Sequence, residues 1–140
     1  LFLSILVLTS TAFAGFVSVT TTDAFVYSQP DENSEAVIGA PQYYPLYVFA
    51  KAKGWYQVKD WMGSKGWIHS SLVETDRTFI VKKFKVVFRT GPGRKYASAG
   101  TLYKGYVLKY LGQTKNYYYK VQLVDPPEDT VGWVHSSMVW

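Results

Sequence analysis

Cysteine is absent from the 140 residues. Counting alone therefore excludes disulfides, zinc thiolates, a cysteine nucleophile and a lipidated N-terminal cysteine. Histidine is nearly absent, with His69 and His135 the only two. Without thiolates or a carboxylate cluster beside them they are poor metal ligands, and no metal or other cofactor is expected. Ala and Leu, favoured helix formers, are sparse beyond the first fifteen positions, whereas aromatics make up 18% of the chain and include twelve Tyr. That balance favours strands. No long apolar run follows the opening segment, so nothing beyond it is expected to span a membrane.

The opening segment itself, Leu1 to Ala14, is apolar with a few hydroxyl residues and ends Ala12-Phe13-Ala14 before Gly15. A small-x-small ending is what a signal peptidase accepts, and the stretch is too short to cross a bilayer comfortably. Residues 1–14 are read as a signal peptide. The mature part is then expected to start near Gly15, soluble and exported, either periplasmic or secreted.

What the rest of the chain does contain is a repeat. Gly66-Trp67-Ile68-His69-Ser70-Ser71-Leu72-Val73 recurs as Gly132-Trp133-Val134-His135-Ser136-Ser137-Met138-Val139. Upstream, Trp55-Tyr56-Gln57-Val58 is matched by Tyr118-Tyr119-Lys120-Val121, with a spacing that differs by three residues in the connecting turn, where insertions are tolerated. Further back, Ala24-Phe25-Val26-Tyr27 precedes Gln29-Pro30, and Lys85-Val86-Val87-Phe88-Arg89 precedes Gly91-Pro92-Gly93. The chain divides into a first unit at 15–73, a linker at 74–77 and a second unit at 78–140. So short a polar linker, Glu74-Thr75-Asp76-Arg77, predicts a nearly fixed tandem. In the first unit strands are expected near 17–20, 24–28, 46–52, 55–59 and 65–69, with alternate residues facing the inside and outside of a small barrel. Trp67 and Trp133 are expected in the cores.

This order of signals, closing on Gly-Trp-[Ile/Val]-His-Ser-Ser-x-Val, resembles the bacterial Src-homology-3 family over nearly all of residues 16–140. The resemblance implies an all-β fold of two tandem small SH3-like barrels after the signal peptide. It also implies non-catalytic domains of exported proteins, often attached to cell-wall hydrolases, that bind wall peptides or other envelope partners. The eukaryotic relatives bind proline-rich peptides and close on Gly-aromatic-Ile-Pro-Ser-Asn-Tyr-Val. Here the Pro position holds His69 or His135 and the Tyr position Leu72 or Met138, which argues against polyproline recognition. Trp55 matches the groove Trp of those relatives, and Tyr118 is its counterpart.

The aromatics exceed what two small cores need, and Tyr27, Trp55, Trp61, Tyr117 and Tyr118 are candidates for a ligand groove. Charge is uneven as well: residues 15–73 carry four Lys and five acids, while residues 78–140 carry ten basic and three acidic residues. Lys82, Lys83, Lys85, Arg89, Arg94 and Lys95 fall in the first strand and turn of the second unit. They are candidates for an anionic partner, against the plainer reading of a solubility surface.

Other constellations read as structural. His69 and His135 stand beside serines, but neighbours on a strand point to opposite faces, and the same His in both copies reads as a turn residue; whether it does more is left open. Asp31, Glu32 and Glu35, like Glu128 and Asp129, read as solvated turns and not as a glycosidase pair. No catalytic residue is expected. The function expected is a non-catalytic exported binding module for a cell-wall peptide or glycan, or an anionic envelope polymer. The alternative is an assembly subunit docking a periplasmic protein, by strand pairing at a barrel edge. Basic residues interleaved with Tyr also suit nucleic acid, but export removes that partner.

Overall fold

The computed structural model describes residues 15–140; the segment read as a signal peptide lies outside them. Val, Tyr and Phe are stiff or broad side chains that pack well on a pleated surface, and the described chain is built from strands. The first unit holds β1 (Gly15–Val19), β2 (Ala24–Tyr27), β3 (Ala36–Ala40), β4 (Pro45–Ala52), β5 (Trp55–Lys59), β6 (Lys65–His69) and β7 (Val73–Glu74). They form one antiparallel sheet in the order β3-β2-β6-β5-β4-β1-β7. The second unit holds β8 (Thr78–Ile80), β9 (Lys85–Arg89), β10 (Ser98–Tyr103), β11 (Val107–Lys115), β12 (Tyr118–Leu123) and β13 (Val131–His135), in the order β10-β9-β13-β12-β11-β8. The two orders correspond strand for strand. The counterpart of β7 shrinks to the bridge Val81↔Val139, matching Val19↔Val73. No helix among the described residues is long and apolar enough to cross a membrane.

The β4–β5 and β11–β12 hairpins each turn through two residues at positive φ, Lys53 (37°) with Gly54 (88°), and Asn116 (51°) with Tyr117 (65°). That is the turn geometry whose twist suits a two-residue hairpin. β3 is a strand the sequence pattern did not predict. It lies at the sheet edge with only Ala40 fully buried, so no inward apolar stripe announces it.

The repeated motif forms β6 or β13 and then a short 3-10 helix, Ser70–Leu72 or Ser136–Met138. The Nδ1 atoms of His69 and His135 accept from the backbone N–H of Ser71 (3.3 Å) and Ser137 (3.2 Å) and pair with the hydroxyls of the same serines at 2.7 Å. Each histidine thus caps a helix start that otherwise leaves N–H groups unpaired.

Trp67 and Trp133 are not core residues, which corrects the sequence expectation. Gly66 and Ile68 point inward and Trp67, between them, faces out partly exposed; Gly132, Trp133 and Val134 repeat this. Glycine occupies the inward position because a Cβ on Gly66 would sit 2.5 Å from the Tyr27 carbonyl oxygen and 2.6 Å from Val26 Cγ1.

Each sheet closes on its own apolar cluster. The first gathers Val19, Val26, Leu46, Val48, Val58 and Ile68, the second Val81, Phe88, Leu102, Leu108, Val121 and Val134, all at most 1% exposed. β8 threads between them: Phe79 packs in the second cluster and Ile80 in the first. Around this crossing Phe16 meets Trp140 edge-on at 5.0 Å, and the Arg77 guanidinium lies 3.4 Å from the ring centre of Phe16 and 4.4 Å from that of Phe79. Burial pushes the Arg77 guanidinium down to about 10, still charged at neutral pH. Thr78 Oγ1 donates to the Tyr43 carbonyl at 2.6 Å. The seam is thus packed and hydrogen-bonded.

Inside the first unit, the Tyr44 hydroxyl donates to Asp60 Oδ2 at 2.9 Å and accepts from Trp61 Nε1–H at 3.1 Å. Asp60 Oδ1 accepts from the backbone N–H groups of Met62 and Ser64. A carboxylate only 2% exposed is tolerable because these donors replace its water.

Candidate functional site

Strand alternation creates the site on the second unit. Val86 and Phe88 of β9 point into the core, which turns Lys85, Val87 and Arg89 outward. The loop after β9 folds back on itself, closed by Thr90 N–H donating to the Ala97 carbonyl at 2.9 Å. Arg89 holds that loop, with its guanidinium donating to the carbonyls of Tyr96 (3.0 Å) and Arg94 (3.3 Å). From the other side Asn116 Nδ2 donates to the Pro92 carbonyl at 3.2 Å, tying the loop to the β11–β12 turn.

Between loop and turn lies a groove of about 730 Å³. Its floor includes Tyr118, 8% exposed, whose ring meets His135 edge-on at 5.0 Å. Ser137 and Met138 continue it, and Lys85, Arg89, Arg94 and Lys95 line its walls. Among the described residues no carboxylate lines this groove. Four cations around a half-enclosed space hold a positive potential there, because low-dielectric walls focus the field.

The first unit builds the corresponding place from rings. Tyr27 stands opposite Trp67 as Arg89 stands opposite Trp133, so Tyr27 replaces the arginine. Trp55 stands opposite His69 as Tyr118 stands opposite His135. The rings run in series, Phe25 to Tyr27 at 6.4 Å, Tyr27 to Trp55 at 6.1 Å and Trp55 to His69 at 5.3 Å. The neighbouring loop carries Asp31, Glu32 and Glu35 where the second carries Arg94 and Lys95.

Of the aromatic candidates, Tyr27 and Trp55 come together on the first unit and Tyr118 floors the groove of the second. Trp61 is placed elsewhere: its indole N–H is taken by Tyr44, it packs against the first core, and Lys104 lies 5.8 Å from its ring. Tyr117 is 77% exposed in the β11–β12 turn and lines no part of the groove. The basic candidates also divide. Lys85, Arg89, Arg94 and Lys95 line the groove, whereas Lys82 and Lys83 sit in the exposed turn before β9. Asn116, His135, Ser137 and Met138 also line the groove, although the sequence reading did not place them among the ligand-binding candidates. Asn116 was not singled out, and the other three belong to the repeated closing motif, where His135 and Met138 were read only as the residues that replace the Pro and Tyr of the eukaryotic relatives.

The serine and histidine pairs have the geometry of local caps, repeated identically, and no carboxylate bonds either ring among the described residues. A triad needs such an orienting group.

Residues 21–74 match a family model described as "Bacterial SH3 domain", and residues 86–139 match a second model of the same description. The chain belongs to the bacterial SH3 family, as a tandem. No curated protein matches the chain. Among solved structures it is similar to NlpC1 from Trichomonas vaginalis, at 13% identity and a TM-score of 0.40, covering 93% of this chain and 46% of that one. It is similar also to NlpC2 from the same organism, at 15% identity and a TM-score of 0.38, covering 94% and 49%. The tandem thus spans about half the length of either chain.

Proposed function

We propose that the tandem is a non-catalytic binding module of an exported protein, and that it holds a cell-wall or envelope component in the basic groove of its second SH3 domain. The observation that carries this reading is the groove itself, four cations and no carboxylate over a tyrosine floor. Carboxylates of wall peptides and phosphodiesters of envelope polymers both suit such a lining. Arg89 is occupied in holding the loop, so Lys85, Arg94 and Lys95 are assigned to the ligand, with Tyr118 and Met138 offering apolar contact. Attraction of this kind speeds encounter and weakens as salt screens it. The aromatic series on the first domain supplies a second contact area.

The test is sedimentation of residues 15–140 with insoluble peptidoglycan at low and moderate salt, beside a variant carrying Lys85→Gln, Arg94→Gln and Lys95→Gln. Salt-sensitive binding that drops at least about tenfold in the variant is expected, at roughly 0.5–1 kcal/mol per exposed charge. Failure of the parent to sediment at low salt rejects the proposal. Co-purification of one stoichiometric protein instead would favour docking of a periplasmic partner at an open sheet edge, β3 or β10.

A further inference from the structure

The two domains serve as controls for each other. Thr20 N–H donates to the Leu72 carbonyl (2.9 Å) as Lys82 N–H donates to the Met138 carbonyl (3.0 Å), and Val19 N–H to Tyr44 as Val81 N–H to Tyr106. The same backbone frame therefore carries Thr20-Thr21-Thr22-Asp23 in one domain and Lys82-Lys83-Phe84-Lys85 in the other. A threonine suffices for the fold where Phe84 stands. Yet Phe84 is 80% exposed, the most exposed large hydrophobic residue among those described. Its position is held, since its carbonyl accepts from Lys104 N–H at 3.3 Å. Beside it Tyr103, 46% exposed, pairs with Lys85 across β9 and β10. No acidic residue occurs from 77 to 124.

We infer that this turn docks the protein on an anionic lipid surface, with the Phe84 ring entering the interface and Lys82 and Lys83 pairing with headgroups. A soluble polymer would satisfy the lysines but would leave the ring in water. The edge of a bilayer takes both, because the ring loses its contact with water while the ammonium groups stay among the phosphates. This site lies on the turn before β9 and does not depend on the groove reading.

The test is co-sedimentation of residues 15–140, which contain both sheets and both cores, with vesicles of phosphatidylcholine alone or mixed with phosphatidylglycerol. Binding only to the mixed vesicles is expected, falling about fivefold for each of Lys82→Thr and Lys83→Thr and roughly tenfold for Phe84→Thr. Each substitution copies the first domain, so the fold should hold, and an unchanged melting curve checks it. No binding to mixed vesicles overturns the inference, and so does binding that Phe84→Thr leaves intact, which would mean mere adsorption of positive charge. Peptidoglycan sedimentation of the same variants should be unchanged, so that loss of one surface is told apart from loss of the other.

Discussion

Gly66→Ala adds one methyl group where β6 crosses β2. The new carbon would lie 2.5 Å from the Tyr27 carbonyl oxygen and 2.6 Å from Val26 Cγ1, whereas ordinary contact begins near 3.4 Å. The strands must separate by about 1 Å, a gap that dispersion forces punish steeply. Overpacking typically costs ~1–3 kcal/mol. The obstacle here is partly main chain, which cannot rotate away, and parting the strands weakens a ladder hydrogen bond worth about 1 kcal/mol. A loss of about 3 kcal/mol follows. At roughly 2 cal/mol/K of unfolding entropy per residue, that lowers the melting temperature by about 10 °C if the tandem melts as one unit, and about twice that if the first domain melts alone. The control is Gly39→Ala, whose added carbon meets nothing nearer than Phe25 Cε1 at 3.9 Å and should change stability by no more than about 0.5 kcal/mol. Thermal melts followed by tryptophan fluorescence read both, with Trp67 beside the substitution. A Gly66→Ala protein melting within about 2 °C of the parent would refute the reasoning.

Tyr44→Phe removes the hydroxyl between Asp60 and Trp61 and should cost about 1.5–3 kcal/mol in a urea melt, the range for a hydrogen bond to a charged group; a change below about 0.5 kcal/mol would show that water replaces it. The same hydroxyl sets an alkaline limit. Burial first, and then the hydrogen bond to the Asp60 carboxylate, push it far above its ordinary value of 10. Its stabilising effect is complete below pH 10 and is lost as pH rises beyond it, because the unfolded tyrosine ionises there and the folded one resists. Stability measured from pH 9 to 11 should fall more steeply in the parent than in Tyr44→Phe, and equal slopes would contradict the assignment.

The repeat and its period-2 alternation were enough to read most of the strands and the twofold architecture. Where reading stopped, the cause was local. β3 shows no inward stripe because it is an edge. Trp67 and Trp133, which follow Gly in the repeated strand, were expected in the core, but the inward place belongs to that glycine, which leaves no hydrophobic mark in a pattern. Trp61 looked like a groove residue until its indole was seen to bond Tyr44, a partner 17 positions away. Ile80 was illegible for a different reason: Thr78–Ile80 is buried throughout, and nothing in such a run tells which core each residue enters. Of the groove, the cations and Tyr118 could be named beforehand; the loop that makes them a cavity depends on Arg89 and Asn116 reaching backbone carbonyls, a matter of side-chain geometry that no spacing rule carries.

The crossing of β8, with Ile80 in one core and Phe79 in the other, bears on how a repeating ligand is read. Two sites on a flexible tether explore many separations and gain avidity from nearly any polymer long enough to span them. Here the aromatic series and the basic groove stand on domains joined through a packed seam, so their separation is set by the fold. If both places bind as proposed, a polymer whose repeat matches that separation would engage both without the entropy cost of ordering a tether. One whose repeat does not match would engage a single site at a time, with the seam acting as a ruler.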